Sequence, residues 1–231
     1  MSVVVDVIIP ALNEQQSVGL VVKAIDRSEV RHIVVVDNGS KDQTAQVAAE
    51  AGATVLEEPE KGYGAACLRG LAYLSGLSRV PDLVVFLDAD FADDPAMLGQ
   101  LIAPIRNGEA DLVIGTRVAA LRQPGSMTIA QRWGNQLATT LIRWLYGYRF
   151  SDLGPFRAIR WTSLMQLGMS DRNYGWTVEM QVKAARQGLR CCEVAVPYRV
   201  RIGQSKVSGT VRGTVLAGYK ILFTVFKYAL R

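Results

Sequence analysis

Histidine is almost missing from this chain: His32 is the only one in 231 residues. That excludes metal centres built on several imidazoles and leaves no histidine to spare for a nucleophile–histidine–acid triad. Cysteine is scarce too. Cys67, Cys191 and Cys192 form no C-x-x-C pair and are odd in number. Neither a zinc ribbon nor a disulfide framework is expected, and a reducing, cytoplasmic compartment fits. Long hydrophobic runs are lacking. The most apolar stretch, Val215–Leu230, is interrupted by Lys220 and Lys227 and falls short of the ~20 residues that span a bilayer. Val3–Pro10 is apolar but contains Asp6 and has no basic stretch before it. It reads as a buried strand, not a secretory signal.

What is present is a globular composition, 49% hydrophobic and 20% charged, which excludes a disordered chain. The formal charge of +5 conceals an asymmetry. Residues 1–114 hold 17 acids and 8 bases, a net of −9; residues 115–231 hold 4 acids and 18 bases, a net of +14. No acid follows Glu193, whereas Arg199, Arg201, Lys206, Arg212, Lys220, Lys227 and Arg231 do. An acidic half beside a basic half suits a cation site next to an anionic ligand or surface, or is only a dipolar exterior.

Apolar runs of strand length alternate with helical spacing through the first half. Strands are expected at Val3–Ile9, His32–Val36, Thr54–Leu56, Leu83–Leu87 and Leu112–Ile114, and helices at Ser17–Asp26, Asp42–Ala51, Gly64–Leu77 and Pro95–Arg106. The pattern predicts an α/β fold with a mostly parallel central sheet and helices on both faces. The second half is less regular: a helix over Met127–Tyr146, a Gly-Pro loop entering a strand at Asp152–Ile159, a helix at Trp176–Gln187, an alternating strand at Cys192–Val200, a loop at Gly203–Gly213 and a C-terminal helix. With no repeat or linker, residues 1–231 are expected to form one domain.

Polar clusters follow the strands, where open α/β sheets bind ligands. The sharpest is Asp88-Ala89-Asp90, two carboxylates set directly after five apolar residues. Such a pair suits a hard divalent cation, Mg²⁺ or Mn²⁺, with phosphate oxygens completing its shell. Asp93 and Asp94, just before Pro95, are explained equally well as helix caps. Asp37, after the second strand, can accept hydrogen bonds from a nucleoside, while Asn38-Gly39-Ser40 reads as a turn. Gly62-Tyr63-Gly64-Ala65-Ala66 imitates part of a dinucleotide fingerprint but follows no strand. It reads as a flexible approach to a helix N-terminus near phosphate.

Taken in order, Pro10-Ala-Leu-Asn-Glu14, Val36-Asp-Asn-Gly-Ser-Lys-Asp-Gln-Thr44, Leu87-Asp-Ala-Asp90, Gly115-Thr-Arg117 and Gly154-Pro-Phe-Arg157 resemble the motifs of family 2 glycosyltransferases. The nearest branch is that of dolichyl-phosphate mannosyltransferases and related polyprenyl-phosphate sugar transferases. The resemblance implies a Rossmann-like GT-A fold, a nucleotide-sugar donor (UDP- or GDP-linked), Mg²⁺ or Mn²⁺, and inverting transfer of a hexose to a polyprenyl phosphate. Another lipid, a soluble phosphorylated acid or a saccharide stays open as acceptor. By the same resemblance, residues 1–114 form the nucleotide-binding half and 115–231 the acceptor side. Pro10, Ala11, Leu12, Glu14 and Asp37 hold the nucleotide; Asp88 and Asp90 hold metal and diphosphate, with Asp90 in the catalytic centre; Arg117, Arg132 and Arg157 hold phosphates. Two positions depart from the branch pattern, Asn38 for an aspartate and Ala92 for a glutamine. The sugar and the base stay open.

Residues 115–170 contain seven arginines, no lysine and one acid, Asp152; guanidinium groups suit bidentate phosphate recognition. Arg117 and Arg157, beside glycines at element ends, are expected to contact phosphate, whereas Arg122, Arg143 and Arg149 read as solvated. Arg199 and Arg201 alternate on an expected strand and fall on one face, toward a phosphate or a free edge. The resemblance implies a late acidic motif near the acceptor, which makes Glu179, early in a helix, the candidate general base; otherwise it is only an orienting or helix-end charge. The Met127–Tyr146 and C-terminal helices combine arginine and lysine with aromatics, as helices lying in a membrane interface do. Their apolar faces could equally pack on the core; because the acceptor that the resemblance implies is a membrane lipid, peripheral contact with the inner face of a membrane is expected. The competing class is a basic module that binds nucleic acid or an anionic surface. No nucleic-acid motif supports it, and it gives Asp88 and Asp90 no role.

Overall fold

The computed structural model describes residues 3–203 and 211–229, with side chains from 218 onward in the last stretch. Of the loop expected at Gly203–Gly213, residues 204–210, with Lys206, lie outside the described residues, as do Arg231 and the side chain of Arg212, while residues 211–213 are helical instead.

The first half alternates as its periodicity requires: β1 (Val5–Ala11), α1 (Val18–Ala24), β2 (His32–Asp37), α2 (Thr44–Glu50), β3 (Thr54–Glu57), α3 (Tyr63–Ser75), β4 (Leu83–Phe86), a 3₁₀ turn into α4 (Leu98–Arg106), and β5 (Leu112–Thr116). The second half supplies α5 (Ile129–Tyr146), β6 (Arg157–Arg160), α6 (Trp161–Leu167), α7 (Trp176–Arg186), β7 (Cys191–Ala195) and α8 (Val211–Ala229). Helix α6 has no counterpart among the expected elements.

The seven strands form one sheet in the order β3-β2-β1-β4-β6-β5-β7. All run parallel except β6, which is antiparallel to both neighbours and pairs Arg157 with Phe86 and with Ile114. The sheet is thus mostly parallel, and its one reversed strand comes from the second half of the chain. Because β6 runs backwards, its first residue lies level with the ends of β4 and β5. Gly154-Pro155-Phe156-Arg157 therefore reaches the same rim as the other motifs.

Every residue of β1 is buried, as expected for a strand covered on both faces. Val7 and Ile9 join Val21, Val22, Leu101 and Ile102 from α1 and α4. Ile8 joins Leu71 and Leu74 of α3, and Phe86 and Trp176 on the opposite face. The Phe86 and Trp176 rings meet edge-on at 5.7 Å, a contact worth about 1 kcal/mol beyond its buried area. Helix α5 opens on a capping box, Thr128 with Gln131, and closes on left-handed Gly147.

Beyond Ala195 the chain leaves the sheet, so the strand expected through Val200 is only half formed. Tyr198 makes isolated bridges to Asp93 and Arg122. Arg199 N donates to Ala92 O at 2.8 Å and Ile202 N to Asp90 O at 2.9 Å. Residues 198–202 form a strap lying antiparallel across the acidic loop that follows β4.

Candidate active site

Two cavities flank that strap. The first, about 300 Å³, is lined by Pro10, Ala11, Leu12 and Glu14 after β1, Asn38 after β2, Lys61–Tyr63 and Ala66 at the start of α3, Asp88–Asp90 after β4, Asn173 and Tyr174, and Arg201. The two loops at its base each contain a non-glycine residue in the left-handed region, Asn13 (φ 52°) and Phe91 (φ 61°). For a residue as bulky as Phe91 this costs on the order of 1–3 kcal/mol, the kind of strain that collects at functional sites.

Asp88 and Asp90 sit together in this cleft. Asp88 Oδ1 accepts from Tyr63 OH at 3.0 Å. Burial, and then the adjacent charge of Asp90, push its carboxyl up to about 7. Asp90 accepts from Ala92 N at 2.9 Å and faces Arg201 Nη2 at 3.3 Å. Arg201 also pairs with Glu14 at 2.8 Å, so one guanidinium bridges the acids behind β1 and β4. Two crowded carboxylates with partial compensation suit a hard cation. Among the described residues no three carboxylate, histidine or cysteine side chains converge as a metal site.

The second cavity, about 320 Å³, lies across the strap and is lined by Thr116–Ala119, Arg122, Met127, Arg132, Asn135, Gln136, Ser151 and Asp152. Three arginines converge here. Arg117 is clamped by Asp152 through Nε at 2.7 Å and Nη2 at 2.5 Å and lies 5.1 Å above the Tyr198 ring. Arg132 reaches back to Met127 O at 3.3 Å. Arg122, expected to be a solvated charge, belongs to this group; its distance from Arg117 and Arg132 in sequence hid the grouping. Lys61, Tyr63, Asn173 and Tyr174 in the first cavity were likewise not expected as site residues, because no chemistry-bearing pattern marks them. Asp93 is buried between the cavities, and its carboxyl makes no hydrogen bond.

Two expectations are corrected. Arg157 faces no cavity: it is 0% exposed and donates to the carbonyls of Gly154, Leu153 and Thr177 and to Gln181. Burial lowers its pKa to about 10. Its guanidinium is a core brace between β6 and α7, not a phosphate ligand. Glu179 is equally buried. It accepts from Ser170 N at 3.1 Å, Ser170 Oγ at 2.8 Å, Asp171 N at 2.7 Å and Tyr228 OH at 2.7 Å, and pairs with Lys183 at 2.7 Å. Burial would raise its pKa, but these donors outweigh burial and hold it at about 2, which is no property of a general base.

Asp37, the register partner of Ala11, ends β2 beside the cleft. Its carboxylate takes the Ser40 amide at 3.2 Å and the Ser40 hydroxyl. It braces the turn, and Asn38, the residue after it, lines the cleft. Gly62, which lines the first cavity, and Gly64 also serve close packing. A Cβ on either would lie 2.0 Å from Arg172 O or 1.9 Å from Asp171 O, and Ala65 N donates to Arg172 O at 2.9 Å. As for Arg199 and Arg201, they lie on the strap rather than in a ladder, and each meets a carboxylate, Arg199 pairing with Asp94 at 2.6 Å.

An uncharacterised glycosyltransferase of Mycobacterium tuberculosis is 38% identical over 220 residues, covering 92% of this chain and 94% of the relative. Undecaprenyl-phosphate mannosyltransferase of Micrococcus luteus is 31% identical over 222 residues, covering 89% of this chain and 88% of the relative. Among solved structures, glucosyl-3-phosphoglycerate synthase of M. tuberculosis, in complex with Mn²⁺, UDP-glucose and phosphoglyceric acid, superposes with a TM-score of 0.76. It is 23% identical, and the match covers 99% of this chain and 80% of that one. This likeness bears out the expected GT-A fold. Residues 6–168 match the family described as glycosyl transferase family 2, and the chain belongs to that family of sugar-transferring enzymes.

Proposed function

We propose that this enzyme is a metal-dependent, inverting hexosyltransferase that uses a nucleoside-diphosphate sugar as donor and a polyprenyl phosphate as acceptor. The observation that carries the reading is the pairing of two cavities of opposite character across the strap. One holds Asp88 and Asp90; the other gathers Arg117, Arg122 and Arg132. The donor lies in the first. Pro10–Leu12 and Glu14 line the nucleoside end, and Asp88 and Asp90 are the residues that would hold Mg²⁺ or Mn²⁺, which would supply charge neutralisation for the departing diphosphate.

The acceptor phosphate lies in the second cavity, where Arg117, kept in place by Asp152, and Arg132 supply planar donors. A phosphate oxygen forms the new bond to the anomeric carbon as the bond to the donor's β-phosphate breaks, and the electron pair leaves with the nucleoside diphosphate. An acceptor already ionised needs no general base, which accords with a Glu179 locked in hydrogen bonds. The mannosyltransferase relative supports a polyprenyl phosphate as acceptor.

Among the described residues no helix is long and apolar enough to cross a membrane. A lipid acceptor would therefore be met at the surface, through α5 and α8. The test is transfer from a panel of UDP- and GDP-hexoses, with Mn²⁺, to a short-chain polyprenyl phosphate in detergent, set against 3-phosphoglycerate. Expected is a phosphodiester-linked glycolipid with at least one donor. Product on the soluble acid alone would replace the lipid reading while keeping the donor chemistry.

A further inference from the structure

Helix α8 is remote in sequence from the first cavity, yet it is tied to one of its walls. That wall is the segment Asp171–Gly175, which presents Asn173 and Tyr174 to the cleft. On one side the wall rests on the start of α3 through the Ala65–Arg172 bond and the approach of Asp171 and Arg172 to Gly62 and Gly64. Behind it, Glu179 gathers the amides of Ser170 and Asp171.

From α8 come three more contacts. Lys220 Nζ pairs with Asp171 Oδ2 at 2.9 Å, and Tyr228 OH donates to Glu179 Oε1 at 2.7 Å. Thr224 packs so closely that a Cβ on Gly175 would meet its hydroxyl at 2.7 Å. The other oxygen of Asp171 orders the wall itself by accepting from Asn173 N at 2.8 Å and Gly175 N at 3.1 Å. Helix α3, on which the wall rests, begins with Tyr63, the residue bonded to Asp88. Gly62, Tyr63, Asp88, Asn173 and Tyr174 line the cleft, whereas Asp171, Glu179, Lys220, Thr224 and Tyr228 do not.

We propose that Lys220 and Tyr228 of α8, acting through Asp171 and Glu179, are positioning residues for the nucleotide cleft: seating α8 fixes the Asp171–Gly175 wall and the α3 N-terminus against which it packs. This rests on reading the first cavity as the donor site. Linkage makes the coupling reciprocal, so a nucleotide bound in the cleft stabilises the seating of α8 by the same factor.

The experiment is calorimetric titration of UDP and of GDP, each with MnCl₂, into the wild-type protein, Lys220→Met, Tyr228→Phe and Arg143→Met. The last makes the same charge change on an exposed α5 residue. Melting temperatures and amide hydrogen exchange of residues 218–229 are measured in parallel. Expected is about a five- to twentyfold loss of nucleotide affinity in Lys220→Met and Tyr228→Phe, with melting temperatures within ~4 °C of wild type and no affinity change in Arg143→Met. Nucleotide should slow exchange in α8 of the wild type, and less so in Lys220→Met; a merely structural ion pair would not produce that difference. Wild-type affinity in both α8 variants, or exchange in α8 indifferent to nucleotide, overturns the positioning role while the donor reading stands. Failure of the wild type to bind either nucleotide overturns both.

Discussion

Asp88 and Asp90 are one residue apart, and the cost of placing them so close falls on the folded protein. Among the described residues Asp88 has one hydrogen-bond donor, Tyr63, and it has a like charge beside it, so the metal-free protein is strained there. Asp88→Asn is expected to raise the melting temperature in EDTA by about 2–4 °C, the shift of about 1 kcal/mol in a chain of this size, while metal-dependent turnover falls at least about a hundredfold. Scanning fluorimetry and a donor-hydrolysis assay check the two halves. At Glu179 the balance is opposite. Its folded-state pKa of about 2 lies below the ~4.3 of an unfolded chain. The stability it contributes is present above the unfolded value and is lost as pH falls from about 5 to about 2. Glu179→Gln should cost on the order of 2–3 kcal/mol at pH 7 and flatten that acid limb, as read from urea melts at a series of pH values. A Glu179→Gln protein with a wild-type acid limb would contradict the hydrogen-bond account.

Helices α5 and α8 are amphipathic in the sense expected, but with the large residues outward. Helix α5 buries only Ala138, Thr139 and Ile142, while Trp133 and Trp144 are 73% and 77% exposed. Eleven positions separate them, about three helical turns, so they share a face. On α8, Val225 and Tyr228 turn inward, and Tyr219, Phe223 and Phe226 outward. The exposed aromatics on these two packed helices, with Arg143 and Lys220 among them, form the surface an anionic membrane would meet. Replacing Trp133 by Ser should weaken partition into vesicles of anionic lipid about tenfold, the effect of half-burying a tryptophan. Added salt should weaken it further, and the melting temperature should stay as in wild type. Equal co-sedimentation of wild type and Trp133→Ser would remove α5 from the membrane face.

At the scale of the whole molecule, the acidic and basic halves are stitched into one sheet. Strand β6, from the basic half, lies between β4 and β5 of the acidic half, and β7 extends the β5 edge. The acidic half alone would leave β4 and β5 without the strand that joins them and uncover Phe86, which packs on Trp176. Calorimetry of the full chain is therefore expected to show one unfolding transition, and a fragment ending at residue 114 should lack the near-ultraviolet circular dichroism of a packed core. Two resolved transitions would show that the halves fold separately. The interleaving also brings the basic half to the rim that carries Asp88, since Arg157, the first residue of the reversed β6, pairs with Phe86.

What the sequence alone determined is what depends on near neighbours. Alternating apolar runs specify β1 to β5 and the helices between them, because burial of a strand or a helix face follows from periods of a few residues. Asp88 and Asp90 were legible because five apolar residues before them announce where a buried strand ends. The family resemblance was legible because its motifs sit in order at such ends. Tertiary structure alone decided which charges are free to meet a ligand. The sequence points Arg157 toward phosphate and Arg122 toward solvent, yet Arg157 spends its donors on carbonyls from two segments, 153–154 and Thr177, and Arg122 opens into a cavity. Gly62 and Gly64 read as a phosphate loop, and only the fold shows that they also admit the close approach of residues 171–172. Glu179 is silenced by partners from as far along the chain as Tyr228. The direction of β6 was equally unreadable, since a four-residue strand has the same pattern either way. In each case the deciding quantity is desolvation and the partners that offset it, and these come from residues that only folding brings together.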